Sequence, residues 1–270
     1  MRQLWVPNFN HAEHARETLN VLLALLRELR ELDPTRNAKR SDKHTLDNPR
    51  RLDPAYCPLF PEPATIRVIN ADTLNAGIKL AKASANAMQT GDKEHNLYPV
   101  IINFTEREKP GGGWLNGALA QEETLCYRSS LYLSLDKRHY PLSSKEAEAI
   151  YSPYVVLSVA AVRKPELRRH KKDKLVFRRD RDRNLTKDNM RLVLRMAAYH
   201  RHRDLVLSAL GCGVYANPPE DVAHCWLEVL REDEFAGHWW RNVYFAVYDR
   251  DARNEGNYQT FKRVLQDQKV

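Results

Sequence analysis

The chain has 270 residues, 43% of them hydrophobic, and a formal net charge of +8, values ordinary for a globular protein with room for a buried core. Its four cysteines, Cys57, Cys126, Cys212 and Cys225, form no C-x-x-C pair. A disulfide framework or a zinc site is therefore not expected, and a reducing intracellular compartment, nuclear or cytoplasmic, fits best. No secretory signal is read in Met1 to Asn10, and Val21 to Leu26 is too short an apolar run to span a bilayer, so no membrane partner is expected.

Leu19, Leu22, Leu23, Leu26 and Leu29 recur at helical spacing, which predicts an amphipathic helix over residues 11–32 ending near Asp33-Pro34. Residues 33–63 hold six of the fourteen prolines and many basic residues, and read as an irregular strap. Residues 1–63 are thus expected to pack as helix and strap on a core of residues 64–270, one domain overall. From residue 64 strands alternate with helices. Strands are predicted at 65–70, 99–104, 154–160, 205–210 and 243–248, and helices at 73–89, 121–132, 187–201, 219–231 and 257–267. This alternation, with short apolar strands, argues for an α/β fold with a mostly parallel sheet between helices. Arg163 to Arg183 carries eleven Lys/Arg against four Asp/Glu. It is either a solvated loop or hairpin, or a polyanion contact that salt would weaken.

One stretch carries more chemistry than the rest: Pro110-Gly111-Gly112-Gly113-Trp114-Leu115-Asn116-Gly117-Ala118-Leu119-Ala120-Gln121-Glu122-Glu123. Three glycines without side chains let main-chain N–H groups converge on one anionic object. Gln121 and two carboxylates follow after a seven-residue spacer. A phosphate cradle followed by an acid pair points to chemistry on a phosphate-bearing substrate. Glu122 and Glu123 are expected in the first turn of a helix, where its dipole favours acids. Neighbouring helical residues diverge by about 100°, so the pair cannot flank a sugar from opposite faces as in glycosidases whose carboxylates stand about 5 Å or more apart across the bond. Gly211-Cys212-Gly213-Val214-Tyr215 supplies a second run of amides after the strand at 205–210, although alone it would be a plain tight turn.

The glycine and Gln-Glu-Glu words together resemble the signature of poly(ADP-ribose) glycohydrolases. His14 to Leu19, Val68 to Leu74, Ile102-Asn103-Phe104, Tyr151-Ser152-Pro153 and Leu207 to Pro219 look like words of the microbial type of that family. The resemblance implies a three-layer α/β/α macrodomain-like sandwich with a mixed, mostly parallel sheet and an N-terminal helical extension. It implies Glu123 as acid and then base, with Glu122 holding a ribose hydroxyl. It implies diphosphate contacts from Gly111, Gly112 and Gly113 and from Gly211, Cys212, Gly213 and Val214, with Gln121 part of the same site and Tyr215 against the distal ribose. Asn103 would contact ribose, or be a satisfied strand-end amide. Asp72 would accept from the adenine amino group, or cap a helix. Trp114 would wall the ribose pocket or fill the core. Thr105, Glu106 and Arg107 stand where the microbial type usually has small residues.

Three functions remain open from the sequence. The first is a hydrolase acting on poly(ADP-ribose) and ADP-ribosylated proteins, without cofactor or metal, as a monomer; a mono-ADP-ribosyl hydrolase is a variant of it. The second is an ADP-ribose reader that needs the glycines but no buried acid. The third is a nucleic-acid-binding protein acting through residues 163–183.

Overall fold

The structure, a computed structural model, describes residues 10–28, 41–87, 98–153, 155–170, 174–251, 253 and 255–270. The predicted end of the first helix, the start of the strap and the centre of the basic block (171–173) lie outside the described residues. The strands are β1 (Asp42–Thr45), β2 (Ile66–Ile69), β3 (Val100–Phe104), β4 (Glu148–Ser152), β5 (Val156–Val159), β6 (Leu167–Arg169), β7 (Leu175–Phe177), β8 (Asp204–Leu207) and β9 (Asn242–Ala246). The helices are α1 (His11–Glu28), α2 (Thr73–Ala87), α3 (Gln121–Arg128), α4 (Leu131–Ser134), α5 (Asp180–Tyr199), α6 (Pro219–Leu230) and α7 (Asn257–Leu265).

Side chains two apart on a strand share a face, and that period divides the core in two. Val100, Ile102, Leu205, Leu207, Val243 and Phe245 pack on one face with Met190, Val193, Trp226 and Phe261 of α5, α6 and α7. Ile101, Val206 and Ala246 pack on the other with Ala76, Leu80, Leu125 and Ala15 of α2, α3 and α1. The result is a three-layer α/β/α sandwich around one seven-stranded sheet of order β1-β4-β5-β3-β8-β9-β2. The five strands from β5 to β2 run parallel, with Ile101 opposite Val156 on one side and Val206 on the other. β4 runs antiparallel to β5, and β1 antiparallel to β4.

Several local expectations need correction. The strap is not wholly irregular: Asp42–Thr45 forms the edge strand, paired with β4 through Asp42↔Tyr151 and Thr45↔Glu148. Its charged Asp-Lys-His sequence hides a strand from an apolar search, yet such residues suit an exposed sheet edge. The strap is also tied to the core by Glu234. That carboxylate accepts from Leu52 N–H at 3.0 Å and from Arg195 Nε at 2.7 Å. β4 itself escaped prediction because it adjoins β5, and the two read as one apolar run interrupted by Pro153. The predicted helix at 121–132 breaks at Ser129, whose hydroxyl bonds back to Leu125 C=O. α5 starts at Asp180, not 187, so the end of the basic block is its first turn, with Asp180 and Asp182 at the favourable end of its dipole. On either side of 171–173, β6 and β7 pair antiparallel through Leu167↔Phe177 and Arg169↔Leu175. No helix among the described residues is long and apolar enough to cross a membrane.

Candidate active site

The carboxyl ends of β2, β3, β8 and β9 open onto a cavity of about 920 Å³, lined among others by Asp72, Phe104, Glu122, Glu123, Ser208, Tyr215 and Val247. Ligands of open parallel sheets bind at this edge, because the loops that follow the strands converge there.

Gln121 begins α3 and fastens it to β3. Its Oε1 accepts Phe104 N–H at 2.8 Å, and its Nε2 donates to Ile102 C=O at 2.8 Å and Thr73 Oγ1 at 3.0 Å. The side chain thus acts as a surrogate ladder partner at the strand end, which fixes the direction of the next two residues. Glu122 turns inward and is only 2% exposed. Its Oε1 accepts from Thr105 Oγ1 at 2.6 Å and Asn103 Nδ2 at 3.2 Å, and its Oε2 from Glu106 N–H at 2.8 Å. Burial raises its carboxyl from the ordinary range to about 7; the Glu106, Thr105 and Asn103 donors oppose that rise, and the neighbouring Glu123 charge adds to it. Glu123 accepts Gly113 N–H on Oε1 at 3.0 Å. Its other oxygen has no protein donor among the described residues.

The first glycine loop does something different from the expected cradle. The amides of Gly112 and Trp114 close local turns on Lys109 and Gly111, and that of Gly113 is given to Glu123. None of the three glycines lines the cavity. Gly112, in the left-handed region at φ +54°, is glycine because of the acids: a Cβ there would lie 2.5 Å from Glu123 Oε1 and 3.3 Å from Glu122 Oε2. The loop is a lid against the back of the carboxylate pair.

The second loop has the open geometry. Gly211, at φ +72°, cannot carry a side chain because Asn217 and Ala161 fill the space, and Asn217 Nδ2 ties the loop to Val162 C=O at 2.7 Å. The amides of Gly213, Val214 and Tyr215 have no protein acceptor among the described residues, and all three residues line the cavity. Open amides of this kind can form an anion nest. Cys212 instead directs its thiol at Leu210 C=O, and burial pushes that thiol well up, which fits packing and not nucleophilic chemistry.

Asp72 sits at the cavity rim and caps α2, with Oδ1 accepting Asn75 N–H at 3.0 Å and Arg128 at 2.9 Å. Asn103 is fully buried and lies behind Glu122, bonded also to Ser158 Oγ at 3.0 Å, and is not part of the cavity wall. Trp114 fills the core against Tyr127 and Tyr132. Sequence reasoning missed Thr105, the Glu106 amide and Tyr140 as supports of Glu122. The only signal was the departure at 105–107, where the microbial type usually has small residues. Thr105 turns its hydroxyl down onto Glu122, and Arg107 turns away to the Ser143 and Ala161 carbonyls.

Fold and site together define a macrodomain-like protein with a paired-glutamate site at the carboxyl edge of its sheet. The model of the microbial-type PARG catalytic domain matches residues 30–163. Poly(ADP-ribose) glycohydrolase from Thermomonospora curvata superposes with a TM-score of 0.67 at 24% identity, covering 94% of this chain and 98% of its own. The same protein bound to the inhibitor ADP-HPD is 25% identical over the same shares, again with a TM-score of 0.67. The Deinococcus radiodurans poly(ADP-ribose) glycohydrolase in complex with ADP-ribose gives 0.63 at 24% identity, covering 86% of this chain and 97% of its own. No curated protein matches the chain. The resemblance to microbial-type poly(ADP-ribose) glycohydrolases is therefore borne out, as is the mixed, mostly parallel α/β fold.

Proposed function

We propose that the chain hydrolyses the ribose–ribose O-glycosidic bonds of poly(ADP-ribose), releasing ADP-ribose, with Glu123 as general acid and base and no metal in the step. The observation that carries this reading is the division of labour between the two glutamates. Glu122 has both oxygens held by protein donors, whereas Glu123 lines the cavity with one oxygen held and the other unclaimed among the described residues. A group that transfers protons needs such an oxygen within reach of substrate.

In this reading the substrate diphosphate lies on the Gly213, Val214 and Tyr215 amides, with Tyr215 beside the distal ribose. Glu123 protonates the departing 2′-oxygen as the glycosidic C–O bond breaks. The resulting oxocarbenium-like ribosyl cation is stabilised by the nearby diphosphate. Glu123, now ionised, takes a proton from the attacking water, and the new C–O bond completes the ADP-ribose product. Glu122 accepts from a ribose hydroxyl and holds the ring in line. Burial keeps a proton available on Glu122 near neutrality. The basic block serves long chains and not the chemistry.

Incubating the protein with radiolabelled poly(ADP-ribose) and with a mono-ADP-ribosylated protein, then resolving the products, tests this directly. Wild type is expected to release ADP-ribose from polymer. Glu123→Gln should keep ADP-ribose binding and lose at least about two orders of magnitude of turnover. Binding without turnover in wild type would make the chain a reader, and an active Glu123→Gln variant would overturn the assigned mechanism.

A further inference from the structure

Behind Glu122 two hydroxyls stand in line: Tyr140 Oη lies 2.9 Å from Thr105 Oγ1, which lies 2.6 Å from Glu122 Oε1. A hydroxyl can donate or accept, unlike an amide N–H. While Glu122 is ionised, Tyr140 donates to Thr105 and Thr105 donates to Oε1. When Oε1 carries a proton, that proton is donated to Thr105, whose own hydrogen turns to Tyr140 or to the Glu106 carbonyl at 3.3 Å. The other partners of Glu122, Asn103 Nδ2 and Glu106 N–H, can only donate. Thr105 is thus the one partner, among the described residues, that serves both protonation states without moving.

We propose that Thr105, backed by Tyr140, is a positioning residue that holds Glu122 through its protonation change and sets the pH at which the acid pair works. The inference rests on the proposed function for its kinetic consequence, but its structural part stands on the hydroxyl chain alone. The groups facing Glu122 are Glu123 and Cys126 on its own helix, Glu106 after β3, Tyr140 in the loop before β4, and Tyr215 on the second glycine loop, with Arg107 and Arg163 beside Tyr215. Burial pushes Cys126, Tyr140 and Tyr215 up, so these three keep their protons through the neutral range.

The test uses Thr105→Val, which keeps the shape and removes the hydroxyl, Thr105→Ser, which keeps the hydroxyl, and Tyr140→Phe. The first readout is the titration midpoint of the Glu122 carboxyl by carbon-13 NMR, assigned by difference from Glu122→Gln. The second is the pH profile of ADP-ribose release. Thr105→Val removes a partner from both protonation states, but the bond to the ionised carboxylate is charge-assisted and the stronger, so the midpoint should rise by about one pH unit, tenfold in proton affinity. The acid limb of the rate should move up with it while KM stays unchanged. Thr105→Ser should restore both, and Tyr140→Phe should give a smaller rise. An unmoved midpoint in Thr105→Val, or failure of Thr105→Ser to restore it, overturns the proposal. If Thr105→Val does not fold, an unmoved midpoint in Tyr140→Phe overturns it instead. A wild-type chain that releases no ADP-ribose would refute the proposed function, while the NMR midpoint would still decide this inference.

Discussion

Replacing Gly112 with alanine is expected to disable turnover while leaving the ligand nest intact. The new Cβ would meet Glu123 Oε1 at 2.5 Å, so the carboxylate must retreat by about 1 Å to reach ordinary contact distance. Gly113 N–H, now 3.0 Å from that oxygen, would lose its acceptor in the same movement. A displacement of that size at a reacting group costs about 100-fold in rate, equivalent to about 2.7 kcal/mol of barrier. The left-handed backbone at φ +54° adds about 1–2 kcal/mol of folding cost for any residue with a side chain. The assay pairs polymer turnover with calorimetry of free ADP-ribose and chemical denaturation. Turnover should fall about 100-fold, the dissociation constant for ADP-ribose should change far less, and stability should drop by the backbone cost. If affinity falls as far as turnover, the first loop binds the diphosphate itself and its assignment as a lid on the acids is wrong. Unchanged turnover in a folded variant would refute the argument entirely.

Three other outcomes follow from the same geometry. Gly213 meets nothing within 4 Å and does not have a left-handed backbone, so Gly213→Val should leave denaturation midpoints unmoved yet weaken ADP-ribose binding, by calorimetry, at least about tenfold by intruding on the nest. Glu122 binds its proton more tightly folded, at about 7 against an ordinary 4.5, so its contribution to stability is greatest at low pH and about 3 kcal/mol of it is lost as pH rises through that interval. Glu122→Gln should therefore gain on wild type in urea denaturation between pH 5 and pH 8, and a pH-independent difference would contradict the buried-carboxyl account. In the basic block, Lys174, Arg179 and Arg183 are already paired with Glu220, Glu166 and Asp221, whereas Arg163, Lys164, Arg168 and Arg178 are exposed. Changing those four to Gln should weaken capture of long polymer at low salt and spare monomeric ADP-ribose, and equal losses for both would put the block in the active site.

The amino-acid sequence by itself determined the parts of this protein that are local. Apolar runs such as Val100-Ile101-Ile102 identify strands buried on both faces because each residue must satisfy one of two core layers. Gln121-Glu122-Glu123 is legible because three adjacent residues in one helical turn keep a constant relation wherever the helix packs. The tertiary structure alone decided what depends on distant partners. Asp42–Thr45 is a strand only because β4, about a hundred residues later, offers it an edge. Thr105 has a second hydroxyl behind it only because the chain returns to bring Tyr140 there. The two glycine loops look alike in sequence, yet one gives its amides to turns and an acid while the other leaves them open to the cavity. Backbone amides point where φ and ψ aim them, and those angles are set by what packs against the loop. Glycine permits either arrangement and specifies neither.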